Sequence, residues 1–335
     1  MAAEKKKYLF EIAWETCNQV GGIYTVIRTK VPSMVEKWGD DYFLLGPYFP
    51  QTASAEFEPI HDLDDSVLGK TVQKMRSMGY AVHYGYWLVT GKPRIVLFDF
   101  WSIYNNINAL KAGLWERHQV STLNTEELVS HVIAFGEMVR VFLTELAKEQ
   151  QNKIDIVAHF HEWMAASAIP DLRKDQIKVA TVFTTHATML GRYLAGNVPN
   201  FYDKIDTFDW LKEARHYGIE AQATLERLAA LQAHVTTTVS DVTAKECEFL
   251  LGKVPDLILP NGLNITRFSA MHEHQNLHTK YKDRINEFVM GLWTFFLVMQ
   301  AMQLFITQKV LGYQWEQKRI QKIMEKEKTK QQKWE

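Results

Sequence analysis

Three short stretches gather most of the polar and cationic residues that can do chemistry. They are Ala158-His159-Phe160-His161-Glu162-Trp163, Phe183-Thr184-Thr185-His186-Ala187-Thr188-Met189-Leu190-Gly191-Arg192-Tyr193, and Leu259-Pro260-Asn261-Gly262-Leu263-Asn264. Each follows or closes an apolar run of the kind that makes a buried parallel strand. Each is therefore expected at the carboxyl end of a sheet, where open α/β proteins bind ligands. A fourth stretch, Val20-Gly21-Gly22-Ile23-Tyr24, follows a strand and opens a helix. Two glycines let backbone approach a ligand closely, and a helix start favours an anion such as a diphosphate. A plain tight βα turn has the same spelling, and the glycine pair alone does not separate the two.

Residue by residue, the chemistry differs. His159 and His161 are expected to alternate to opposite faces of their strand, one structural and one facing the cleft. A shared metal is then awkward, despite the zinc-like His-x-His-Glu spelling. Glu162 is expected to pair with the dipole of the helix it starts rather than to act as a general acid or base. His186 ends a strand, and Arg192 six residues on can neutralise phosphate through bidentate hydrogen bonds. With the glycine turn, these two favour a cleft for a sugar-nucleotide donor. Further on, Gln275, His278 and Lys282 share a helix face at spacings of three and four, near His272 and Glu273. Such a stripe suits an anion, and a solvated face accounts for it as well.

The elements that must position these groups alternate. Strands are expected at 8–14, 41–48, 81–89, 94–100, 154–160, 178–185, 234–239 and 257–260, the third and fourth forming a hairpin or paired strands around Gly91-Lys92-Pro93. Helices are expected from Gly21-Gly22 to about Val35, and over 124–150, 162–173, 219–233 and 241–251. In the second of these, Asn124 caps and Leu128, Val132, Phe135, Val139, Phe142 and Leu146 share one face. Ser240 or Asp241 caps the last. The order implies βαβ units and a doubly wound, Rossmann-like parallel sheet. Residues 194–217 show no clear period and read as a loop over the site.

Composition narrows the setting. The 335 residues are 47% hydrophobic and 23% charged, ordinary for a soluble globular protein. A net charge of -1 gives no electrostatic case for nucleic acid. The only cysteines, Cys17 and Cys247, are too few for a disulfide framework or a zinc site. Residues 1–7 hold charge and no apolar core of a secretory signal, so a cytoplasmic setting is expected. The charge is uneven: residues 290–335 carry 8 Lys/Arg against 4 Asp/Glu. Phe288 to Gln308 is 21 residues without a charge, and Lys, Gln and Glu dominate after Gly312. That run is long enough for a membrane span, with Lys309, Lys318, Arg319 and Lys322 beyond it. Thr294, Gln300 and Gln303 argue against a span, and a helical tail packed on its own domain or another subunit is preferred.

Together the motifs resemble the animal and fungal glycogen synthases. The resemblance runs from about Tyr8 to Val289. It includes Trp38-Gly39-Asp40, Gly46-Pro47-Tyr48, Phe268-Ser269-Ala270-Met271-His272-Glu273 and Gln275-Asn276-Leu277-His278. It implies a domain over 1–289, the N-terminal one of a GT-B-type pair of facing Rossmann-like domains, and a divergent helical tail over 290–335. It further implies retaining transfer of glucose from UDP-glucose to the 4-hydroxyl of a glycogen chain end, without metal or cofactor. Gln19, Gly21, Gly22, His186 and Arg192 would line the donor cleft. His272, Glu273, Gln275, His278 and Lys282 would belong to the region that responds to glucose 6-phosphate. Glycogenin and further synthase subunits are the implied partners, and a non-catalytic protein that binds them is the competing reading. Two departures matter. Gln19 stands where the family usually has Lys or Arg, a loss of a charge-assisted contact worth about 1.5–3 kcal/mol. After Val289 the sequence leaves the family pattern, so the family's catalytic residues are expected outside this chain and little activity from it alone.

Overall fold

The computed structural model describes residues 5–150, 153–262 and 271–331. They belong to two compact units, Met1–Asn264 and Ile265–Glu335. The first is built on β1 (Lys6–Ala13), β2 (Tyr42–Pro47), β3 (Phe57–Pro59), β4 (Ala81–Trp87), β5 (Arg94–Asp99), β6 (Ile154–His161), β7 (Ala180–Thr185), β8 (Val235–Thr238) and β9 (Leu257–Ile258). These form a nine-stranded sheet in the order β3-β4-β5-β2-β1-β6-β7-β8-β9. From β5 to β9 every neighbouring pair is parallel, while β3/β4 and β4/β5 are antiparallel. The expected doubly wound sheet is present, with an antiparallel edge.

Strand alternation sorts the core onto two faces. Phe10 and Ile12 of β1 join Phe43, Phe98 and the buried stripe Val132, Phe135, Val139, Phe142 and Leu146 of the helix Glu127–Gln150. The Phe10 and Phe43 rings stack at 4.9 Å, with Phe142 edge-on to Phe10 at 5.9 Å. Each such buried ring contributes about 1.5–3 kcal/mol. On the other face Leu9, Ala13, Tyr42 and Leu44 meet Ile23, Tyr24, Ile27 and Val31 of the helix Gly22–Trp38.

Two local expectations fail. The long helix begins at Glu127, and Asn124 sits outside it at φ 57°. Residues 194–217 are not a bare loop. They hold the end of the helix Met189–Asn197, two 3-10 turns and the helix Trp210–His216. These pieces are too short to show a period. Their order comes from Asp209, which accepts from the amides of Leu211 and Lys212, and from a satellite core of Leu190, Leu194, Phe201, Ile205 and Ala214.

In the second unit, the helix Met271–Gln331 runs for 61 residues, straight through the break in sequence character at Val289. Its side chains from Gln275 to Lys309 are exposed. The Thr294 and Thr307 hydroxyls donate to the carbonyls of Met290 and Gln303. The stretch Gln275–Lys322 meets the length and composition of a membrane span.

Candidate functional site

The chain leaves β1 toward β2 on one side and later returns to β6 on the other, so β1 and β6 flank the switch point of the sheet. Crevices at the carboxyl ends of such strands bind ligands. Here the register sets Glu11 beside His159 and Ala13 beside His161. On the next strands it sets His161 beside Thr184, and Thr184 beside Thr237. A polar row thus crosses four adjacent strands on one face. His159 Nε2 lies 2.7 Å from Thr184 Oγ1, which is 2.6 Å from Thr237 Oγ1.

His159 and His161 do not point to opposite faces. Strand side chains alternate, so residues two apart share a face. Their rings lie 4.2 Å apart, and both reach Glu11 Oε1, at 3.4 Å from His159 Nδ1 and 3.3 Å from His161 Nε2. Glu11 is fully buried and also receives the Lys30 ammonium and the Tyr42 hydroxyl. Burial alone would raise its carboxyl. The Lys30 charge and the two imidazoles outweigh burial and hold it well below the usual carboxylate range. Burial first, then the neighbouring His159, pushes His161 well below its ordinary value, so it is neutral at pH 7. Glu11, His159 and His161 have ligand atoms within 4.8 Å of one another, a set able to hold a metal ion. The Lys30 ammonium already occupies the cationic place at Glu11, which disfavours a resident ion. Glu11, Lys30 and Tyr42 escaped the sequence reading. The available signal was an acid inside the apolar run Tyr8 to Ala13, since a buried charge demands a partner.

The rim is built from the loops that follow the strands. His161 Nδ1 lies 3.3 Å from His186 Nε2, and His186 Nδ1 lies 3.4 Å from Asn261 Nδ2, so all three strand-end motifs meet at His186. Burial first, with the charges of His159, Lys30 and Arg192 behind it, lowers His186 to about 4. Glu162 is not the dipole partner expected for it. It sits at φ 63°, makes no cap bond to its own helix, and instead accepts from the His186 amide at 3.0 Å and Arg192 Nη2 at 3.1 Å. Positive φ in a non-glycine residue is strained, and it turns this carboxylate across the rim rather than along its helix. Arg192 also donates through Nε to the Ala187 carbonyl, and its side chain remains 54% exposed.

Gln19, Gly21 and Gly22 are exposed at the opening of the helix Gly22–Trp38. Glu15 accepts there from the Tyr24 amide at 2.8 Å. A Cβ on Gly21 would lie 2.7 Å from Glu15 Oε1, while the Gly21 backbone is extended and open to any residue. Gly21→Ala is therefore expected to push Glu15 off the helix start and cost about 1–2 kcal/mol. A urea denaturation midpoint unchanged from wild type would contradict that. The second proposed group is less defined. Gln275, His278 and Lys282 are exposed on the helix Met271–Gln331, and the side chains of His272 and Glu273 lie outside the described residues, as do Leu263 and Asn264.

The family described as "Glycogen synthase" matches residues 11–325. The chain is 44% identical over 287 residues to a glycogen [starch] synthase of Neurospora crassa, covering 86% of this chain and 40% of that protein. It is 43% identical over 283 residues to the human liver glycogen [starch] synthase, covering 84% of this chain and 40% of the relative. It thus spans about 40% of the length of these relatives. Among solved structures it is similar to a sucrose-phosphate synthase from Thermosynechococcus elongatus, with 11% identity and a TM-score of 0.45, over 82% of this chain and 53% of that one. The motifs at the switch point lie within the stretch matched to the family, and the chain belongs to the glycogen synthase family.

Proposed function

We propose that the switch-point crevice is the donor wall of a retaining glucosyltransferase of GT-B architecture, which moves glucose from UDP-glucose to the 4-hydroxyl of a glycogen chain end. The transfer belongs to the whole protein, and this chain contributes the groups at one sheet edge. One observation carries the reading. Glu162, at the carboxyl end of β6, holds both Arg192 and the His186 amide, and His186 meets His161 and Asn261. The glycine turn follows β1, the strand paired with β6, and opens at the same end of the sheet. Arg192, with its exposed guanidinium, suits the diphosphate, and the helix start beside Gly21 and Gly22 adds favourable dipoles. The same reading gives His272, Glu273, Gln275, His278 and Lys282 to an anionic regulator such as glucose 6-phosphate. It places the protein in the cytoplasm, with glycogenin and further synthase subunits as partners.

Titrating UDP-glucose into the wild-type chain and Gln19→Lys tests the donor reading. A lysine adds a cation at the glycine turn, and binding is expected to tighten about tenfold, the equivalent of about 1.4 kcal/mol. Equal affinities would remove Gln19 from the phosphate end. Absence of binding by both would overturn the donor wall itself.

A further inference from the structure

We propose that Glu246 is a positioning residue for Arg192: by holding both the amide and the hydroxyl of Thr188, it fixes the turn that aims the guanidinium at the donor diphosphate. The proposal rests on the donor reading above for what Arg192 meets, and adds the group that places it.

The Arg192 side chain is 54% exposed, so packing alone does not set its direction. Its backbone is held instead by Thr188, the residue that starts the helix Met189–Asn197. The Arg192 amide donates to the Thr188 carbonyl at 3.1 Å, and the Gly191 amide donates to Thr188 Oγ1 at 3.0 Å. Thr188 is fully buried, and a buried hydroxyl needs an acceptor for its hydrogen. Because Thr188 Oγ1 accepts from Gly191, its own hydrogen goes to Glu246 Oε2, which lies 2.8 Å away. The same oxygen accepts from the Thr188 amide at 3.1 Å. The polar groups of Thr188 are therefore divided between Glu246 and the turn that carries Arg192. Removing the carboxyl would orphan the amide and free the hydroxyl to rotate away from Gly191.

The surroundings fit this role. A Cβ on Gly191 would run into both Glu246 Oε2 and Thr188 Oγ1, so glycine leaves the carboxyl its place against the helix start. Glu226 holds the flanking residues in the same way, through the Met189 amide at 2.7 Å and the Thr185 hydroxyl at 3.0 Å. With the Thr188 and Met189 amides taken, that helix start is closed to a ligand anion, and phosphate contact on this loop falls to the Arg192 side chain. Glu246 ends the helix Asp241–Glu246, and its other oxygen takes the Tyr202 hydroxyl at 2.9 Å, which anchors the carboxyl from behind. Glu162 meets the tip of Arg192 through Nη2 at 3.1 Å, whereas Glu246 holds the backbone from which that side chain springs.

Nitrogen-15 NMR of the full chain, without nucleotide, follows the Arg192 Nε–H, which donates to the Ala187 carbonyl at 3.3 Å. In Glu246→Ala its exchange with water is expected to quicken about tenfold or more as the turn opens. Glu246→Gln keeps an oxygen for both Thr188 donors and should stay within about twofold of wild type. A purely structural role would lower the urea midpoint and leave the Arg192 signal alone. Exchange unchanged in Glu246→Ala would therefore overturn the proposal, as would Glu246→Gln behaving like Glu246→Ala. If Glu246→Ala does not fold, Thr188→Val decides: it removes the hydroxyl at nearly constant size and should quicken the exchange likewise, and an unchanged signal overturns the proposal. A second arm titrates UDP-glucose. Binding is expected to weaken about tenfold in Glu246→Ala, and no further when Glu246→Ala is added to Arg192→Ala. Equal affinity of wild type and Glu246→Ala, or a further loss in the double variant, would overturn the proposal. Failure of the wild type to bind removes the donor reading and leaves the arm without nucleotide to decide the positioning.

Discussion

Replacing Lys30 by Met is expected to cost about 3–5 kcal/mol of folding free energy, because it strands Glu11 as an uncompensated buried anion. The Lys30 side chain is 30% exposed and Glu11 is not exposed at all, so most of the loss falls on the carboxylate. Partial access of water at Lys30 places the effect toward the lower end of that range. The sign with pH follows from the depressed Glu11 carboxyl. Its contribution is present above the ordinary carboxyl value of 4.5 and is lost as pH falls through the folded value. The gap between Lys30→Met and wild type should therefore be widest near neutrality and narrow in acid, as Glu11 takes up a proton in the variant while the wild type still holds it ionised. Adding Glu11→Gln to Lys30→Met should recover much of the loss. Urea denaturation at pH 7 and pH 4 checks all three statements. A gap independent of pH would show that Lys30 acts by packing alone.

Glu226→Gln is expected to do the opposite and stabilise. Glu226 is fully buried, accepts from the Thr185 hydroxyl at 3.0 Å and the Met189 amide at 2.7 Å, and has no cation in contact among the described residues. Burial first, then the charge of Glu162, raises its carboxyl to about 8. The folded protein therefore holds a proton that the unfolded chain releases near 4.5. Stability falls as pH rises between those values and levels above 8. Glutamine mimics the protonated acid, so its advantage should be small in acid and grow to roughly 3–5 kcal/mol by pH 8. An advantage that shrank with rising pH would contradict the raised carboxyl. Glu11 and Glu226 thus make two buried glutamates with opposite pH signatures, distinguished by whether a lysine reaches them.

How much of this was legible in the sequence differs between strands and side chains. Apolar runs such as Ile154 to Phe160 and Val179 to Phe183 announced parallel strands, because burial on both faces leaves little room for polar residues. The helical stripe from Val132 to Leu146 was equally plain, because a core face must repeat every 3.6 residues. His186 and Arg192 could be placed at a sheet end for the same reason. What pattern could not supply was pairing between strands. Glu11 meets His159 across 148 positions of sequence through a parallel register that no local spacing encodes. Glu162 was misassigned because its positive φ aims it away from the helix it precedes. Trp210–His216 was missed because its cap and satellite core, rather than its period, hold it.

Mapping UDP-glucose onto the 335-residue chain by amide NMR tests most directly whether the switch-point crevice is the donor wall. Saturable shifts are expected at Gly21, Gly22, the His186 amide and Arg192, at the carboxyl ends of β1, β6 and β7. Saturable shifts confined to the opposite, amino ends of those strands, around Lys178 and His234, would contradict it, as would a spectrum that UDP-glucose leaves unchanged.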